Sequence, residues 1–173
     1  MLASKSLKIL LSADPEIPVP PRGYGGIERI VDALVREFTL RGHTVGLLAH
    51  GESKTSVHNL FPWPGHTSQS RMDALRNALS LRRAVRAFQP DVLHSFSRLA
   101  YLLPLLPTRL PKVMSYQRHT GGRQVKVAAR LGGQSLRFTG CSEFICEQGR
   151  QAGGDWTAIH NFVEPEKFTF VPH

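Results

Sequence analysis

Cysteine is nearly absent: Cys141 and Cys146 are the only two among 173 residues. Two cysteines five positions apart make no disulfide framework and match no zinc pattern, so a reduced, cytoplasmic setting is the simplest reading. No apolar run approaches the roughly 18 residues of a membrane-spanning helix. The apolar stretch at residues 7–11 is too short for a secretory signal. Aromatic residues make up 8% and are not interleaved with the basic ones, which leaves no stacking platform for nucleic acid. Acidic residues are scarce as well, 13 Asp and Glu against 22 Lys and Arg. The resulting charge of +9 points to anionic partners such as phosphates or a membrane surface, and says nothing about fold. There is no internal repeat and no low-complexity tail. With 41% hydrophobic and 20% charged residues, the chain reads as one ordinary globular domain with its own core, too short for most two-domain enzymes.

What is present is a regular alternation of apolar runs and helical patterns. Residues 7–12 form an apolar run suited to a strand buried on both faces. A loop carrying Pro15, Pro18, Pro20 and Pro21 follows. Then Ile27, Ile30, Val31, Leu34, Val35 and Phe38 recur at helical spacing, and Gly42 stops the helix. Strands are expected at 44–50 and, more weakly, 56–60. A second helix spans 72–88, with Leu75, Ala78, Leu79 and Val85 turned inward and several arginines outward. Pro90 ends it. Further strands are expected at 91–96, 112–116, 136–140 and 156–160. Between them lie a short helical piece at 99–106, a helix at 124–131, and a helix of about ten residues capped by Ser142 with Glu143 in its first turn. Strands separated by helices imply right-handed βαβ units and a mostly parallel sheet, a Rossmann-like three-layer α/β domain. Ligands of such sheets bind beyond the carboxyl ends of the strands, where strand order reverses.

The segments just after the strands therefore matter most. Arg22-Gly23-Tyr24-Gly25-Gly26-Ile27-Glu28 leads into the first helix. Paired glycines there let exposed N–H groups and the helix dipole approach an anion such as a diphosphate, although a plain glycine turn into the helix reads the same way. A dinucleotide fingerprint is excluded, because it would need glycine where Glu28 stands and a tight turn where a long loop intervenes. No Gly-Lys-Ser/Thr of a phosphate-binding loop follows either.

The stretch Pro20-Pro21-Arg22-Gly23-Tyr24-Gly25-Gly26-Ile27-Glu28-Arg29-Ile30-Val31 resembles the first loop and helix of glycosyltransferase family 4 enzymes. The resemblance continues through Arg41-Gly42-His43-Thr44-Val45, Gln89-Pro90-Asp91-Val92-Leu93-His94 and Cys141-Ser142-Glu143-Phe144. It ends in Ile159-His160-Asn161-Phe162-Val163-Glu164-Pro165-Glu166-Lys167-Phe168, similar to the family's I-x-N-G-V-D-x-x-x-F, with Phe162 and Glu164 in place of the usual Gly and Asp. The match runs nearly end to end in the right order.

The resemblance implies the N-terminal half of a GT-B fold. Residues 1–160 would be the acceptor-side Rossmann-like domain, and residues 161–173 the start of the hinge to a C-terminal domain absent from this chain. The family's E-x7-E pair is missing: beyond residue 150 the only glutamates are Glu164 and Glu166. The implied reaction moves a sugar, with retention, from a nucleotide diphosphate sugar to an acceptor hydroxyl, and the fragment alone should be inactive. The nucleotide sugar is a co-substrate; no further cofactor and no metal are implied, and no Asp-x-Asp pair occurs. A stand-alone sugar- or phosphate-binding domain is the alternative.

Gly25 and Gly26 match the family's glycine loop near the donor diphosphate and sugar. His119, in Ser115-Tyr116-Gln117-Arg118-His119-Thr120, falls where the family often has a histidine close to the transferred sugar, and is the catalytic candidate. Arg118 beside it suits a phosphate and counts among the acceptor-site candidates. His94 could line the acceptor cleft or be a core histidine bonded to nearby backbone. Ser142 and Glu143 are explained as a helix cap and first-turn acid, yet remain acceptor-site candidates, as does Glu28 beside the glycines. The acceptor would be a sugar or a lipid-linked sugar. Arg71, Arg76, Arg82, Arg83 and Arg86, with Arg118, Arg123, Lys126 and Arg130, crowd two helices and their approaches. They are either a solvated surface or a peripheral contact with anionic lipid at the inner face of a membrane.

Overall fold

The computed structural model describes residues 5–67, 69–118 and 121–164. Among them, seven strands form one parallel sheet: β1 (Lys8–Ser12), β2 (Thr44–Ala49), β3 (Asn59–Pro62), β4 (Val92–Ser95), β5 (Lys112–Tyr116), β6 (Leu136–Gly140) and β7 (Trp156–Ala158). The helices are α1 (Gly26–Leu40), α2 (Arg71–Phe88), α3 (Gly122–Gly132) and α4 (Glu143–Ala152), with a 3-10 segment over Leu99–Leu105. Strand order is β3-β2-β1-β4-β5-β6-β7, and every adjacent pair is parallel. The chain winds outward from β1 to β3, returns to β4, and winds the other way to β7. The reversal falls between β1 and β4.

Alternate residues of β1 face opposite layers, which is why its centre, Ile9-Leu10-Leu11, is apolar without a break. Ile9 and Leu11 pack with Val31 and Val35 of α1, while Leu10 packs with Leu81, Ala84 and Phe88 of α2. Helix α1 lies on the first face, over β1 and β2. The second face carries α2, the 3-10 segment, α3 and α4, with Tyr101, Leu102 and Leu106 fully buried. At the far end Phe138 and Trp156 stack at 4.7 Å and 14°, with Tyr116 against both. Gly149 of α4 makes room for this stack, since a β-carbon there would lie 2.3 Å from the Trp156 ring.

Three expectations need correction. Strand β3 runs Asn59–Pro62 rather than 56–60, because His58 turns its ring back to accept the Val45 N–H at 3.1 Å and pairing starts only after it. Strand β7 stops at Ala158. In α2, Leu75 and Leu79 point outward, 56% and 41% exposed. The inward face is Asn77, Ala78, Leu81, Ala84 and Phe88. Asn77 enters the core because its side chain holds the preceding loop, accepting the Gly65 N–H at 2.9 Å and donating to its carbonyl at 3.4 Å.

Candidate functional site at the strand-order reversal

A cleft of about 870 Å³ opens beyond the carboxyl ends of β1 and β5, along the N-terminal half of α1, and is closed on one side by Asn161–Glu164. A smaller lobe of about 240 Å³ runs on between the ends of β4 and β5 and the start of α3. Asp14, Ile27, Gln117 and Arg118 line both, so the two are one continuous groove.

Helix α1 enters the groove on glycine. Gly25, at its N-cap, has φ 154° and ψ 78°, and a β-carbon there would lie 2.6 Å from Pro21 Cβ and 2.9 Å from Glu28 Oε2. No side chain caps the helix. Gly26 lines the groove, and a β-carbon on it would meet nothing within 4 Å. Helix α3 likewise begins after a glycine, Gly121, without a side-chain cap, and Gly121 lines the smaller lobe. By contrast, α2 and α4 have their first amides answered by Ser70 and Ser142. Two glycine-entered helix starts thus flank the groove, with their positive dipole ends toward it.

Its floor is acidic and amide. Asp14, two residues past β1, is held by burial, and secondarily by Glu16, up at about 6, against the opposing pull of Arg98 and Arg118. Asp14 Oδ1 and Gln117 Oε1 are buried oxygens with no hydrogen-bond partner among the described residues. Such atoms cost free energy until a ligand or water donates to them. Glu28 is 6% exposed, and its carboxyl is raised chiefly by burial. Arg118 is exposed on the groove wall, and Arg98 lines the smaller lobe. Beneath this layer the ends of β1 and β4 are tied by a serine triangle: Ser12, Ser95 and Ser97 hydroxyls lie 2.9–3.1 Å apart.

The residues singled out in the sequence divide three ways. Gly26, Glu28 and Arg118 line the groove, and Gly25 shapes the entry of α1 into it. His94 sits one layer below, its Nε2 2.7 Å from Ser115 Oγ and its ring 4.5 Å from that of Phe96. Burial lowers it to about 4, so it is neutral near pH 7, and it reaches the groove only through Ser115, which lines the smaller lobe. Ser115 in turn bonds Thr139 at 2.6 Å. Ser142 and Glu143 lie away from both lobes. Ser142 accepts the Ile145 N–H at 3.4 Å, and Glu143 pairs with Arg150 at 3.3 Å on the surface. His119 falls outside the described residues. Asp14 and Gln117 were not singled out, although each follows the end of a strand. Among the described residues no group of three or more His, Cys, Asp or Glu is placed to hold a metal ion, and no helix is long and apolar enough to cross a membrane.

A parallel doubly wound sheet with a polar groove at its reversal defines a Rossmann-like α/β domain of the kind found in GT-B glycosyltransferases. The sequence profile described as Glycosyltransferase Family 4 matches residues 24–167, and the chain belongs to that family. Two solved structures share the fold. A glycosyltransferase from Rickettsia africae ESF-5 aligns with a TM-score of 0.70 at 16% identity, over 95% of this chain and 46% of that one. AviGT4, a glycosyltransferase involved in avilamycin A biosynthesis, aligns with a TM-score of 0.55 at 21% identity, over 94% of this chain and 44% of that one. The chain thus spans less than half the length of either. No curated protein sequence gives a significant match.

Proposed function

We propose that this chain is the acceptor-side domain of a retaining glycosyltransferase that moves a sugar from a nucleotide diphosphate sugar to an acceptor hydroxyl. One observation carries the reading: the unanswered oxygens of Asp14 and Gln117 lie in the same groove as the glycine start of α1 and the Arg118 guanidinium. Hydroxyl donors suit the floor, and a diphosphate suits the amides and the arginine. The groove thus offers one set of partners to a sugar and another to an anion.

In this reading the Gly25–Gly26 amides face the donor diphosphate. Arg118 balances charge that grows on the leaving phosphate, where a fixed cation in a dry cleft is most effective. Asp14 accepts a hydrogen bond from an acceptor hydroxyl, Gln117 orients the same sugar, and His119, outside the described residues, is the catalytic candidate by family resemblance. Residues from Asn161 onward lead to a second domain that supplies the other wall, and turnover needs both walls so that water is excluded. The acceptor is a sugar or a lipid-linked sugar.

The test is release of nucleotide diphosphate from a panel of nucleotide sugars by the protein expressed with its whole reading frame. Arg118→Ala and Asp14→Asn should each lower kcat/KM by 10-fold or more, on the order of one lost charged hydrogen bond. Wild-type kcat/KM in both variants would sink the assignment. So would tight sugar binding by a protein that releases no nucleotide from any donor, which would mark a binding domain.

A further inference from the structure

Helix α2 carries an outer face that no other described element covers. Met72, Leu75 and Leu79 are 59%, 56% and 41% exposed. At about 100° per residue, these three share one side of the helix with Arg76, Arg82, Arg83 and Arg86, and Arg71 lies at its margin. Leu81, Ala84 and Phe88 are buried on the opposite side. The helix has a single acid, Asp73, and it is turned off this face. Its Oδ2 accepts the His66 and Thr67 N–H groups at 3.2 and 3.3 Å, and only Arg76 reaches it, at 3.5 Å. The face therefore carries its aliphatic side chains in the first half, alongside Arg71 and Arg76, and is cationic in the second, with no carboxylate of its own.

We propose that this face docks the protein on a bilayer containing anionic phospholipid. Met72, Leu75 and Leu79 would enter the interfacial region, and Arg71, Arg82, Arg83 and Arg86 would meet headgroup phosphates. Charge complementarity selects this occupant, since one face displays five arginines beside aliphatic side chains. Three partly exposed apolar side chains also fall well short of the roughly 800 Å² per partner that a stable protein interface buries. Topology makes the placement useful. Helix α2 runs from the carboxyl end of β3 back toward the start of β4, so its apolar half lies at the end of the sheet where the groove opens. The inference stands apart from the sugar-transfer reading, because it uses none of the groove residues.

Vesicle flotation of the purified chain tests it, with phosphatidylcholine alone or mixed with phosphatidylglycerol. Binding is expected only to the mixed vesicles and should weaken with salt. R82Q/R83Q/R86Q should lower the affinity on the order of 100-fold, as for three near-surface charges. L75Q/L79Q should lower it about 10-fold or more. Both sets change exposed positions to good helix formers, and unchanged melting verifies the fold. Because Trp63 and Trp156 are buried, M72W adds an exposed reporter whose emission should shift to the blue on mixed vesicles. Absence of binding to mixed vesicles overturns the proposal, as does binding that survives in both variant sets. A dimer that dissociates in L75Q/L79Q without any lipid binding overturns it too.

Discussion

At the residue scale, two buried groups pull stability in opposite directions with pH. Asp14 ionises near 3.8 when unfolded and about 6 when folded, so between these values the folded state holds a proton the unfolded state has lost. Its contribution therefore falls as pH rises through that window and stays low above it. His94 goes the other way. Its folded value of about 4 lies below the usual 6.5, so its stabilisation is full above 6.5 and is lost as pH falls toward 4. Each shift corresponds to about 3 kcal/mol. Over the shared window the two offset one another. Asp14→Asn should consequently steepen the loss of stability on acidification, and His94→Gln should flatten or reverse it. Denaturant titrations at pH 4, 5 and 7.5 would decide; parallel curves for all three proteins would contradict the prediction.

The paired glycines also separate at this scale. Gly25→Ala must hold an alanine at φ 154° with its β-carbon against Pro21, and should cost about 2 kcal/mol or more. Gly26→Ala meets no neighbour and should leave the unfolding free energy within about 0.5 kcal/mol of the parent, as read by denaturant titration. A ligand-affinity change in Gly26→Ala would then reflect the groove and not the fold.

At the element scale, the four helices differ in how they begin. Ser142 was a candidate acceptor contact, but its hydroxyl caps α4 away from the groove. Ser142→Ala should cost about 1 kcal/mol of stability and leave acceptor binding unchanged. A large affinity loss with intact stability would instead restore a ligand role. Helix α4 also depends on Gly149, which lets it lie against Trp156. Gly149→Ala should destabilise by about 1–3 kcal/mol through overpacking, seen as a lower melting temperature with loss of near-ultraviolet signal from Trp156.

At the scale of the whole molecule, the end of the described chain returns to its beginning. Arg36 of α1 grips Glu164 at 3.1 Å and reaches Asp32 at 3.3 Å, and Thr55 donates to the same Asp32 at 2.8 Å. Residues 161–164 are thereby held along the groove rather than across the back of the sheet. The pair is partly exposed, so Glu164→Gln should change global stability by less than about 1 kcal/mol. Amide exchange at residues 161–164 should nonetheless accelerate, and an unchanged exchange rate would show that the clamp does not fix that segment.

The sequence by itself determined the layer architecture. Ile9, Leu10 and Leu11 are apolar in succession because both faces of β1 are covered, and the stripe from Ile27 to Phe38 marks α1 because a single helix must cover one face of β1 and β2. Local chemistry sufficed there, as it did for the glycine entry of α1 and the Ser142 cap. Three matters were decided only by tertiary structure. The rotation of α2 cannot be read from a helix whose apolar residues lie on both sides; it depends on Asn77 anchoring the loop at Gly65. Whether His94 touches the groove depends on sheet register, which sets Ser115 beside its ring. The importance of Asp14 and Gln117 arises from packing alone, because an unanswered buried oxygen exists only once distant strands have come together around it.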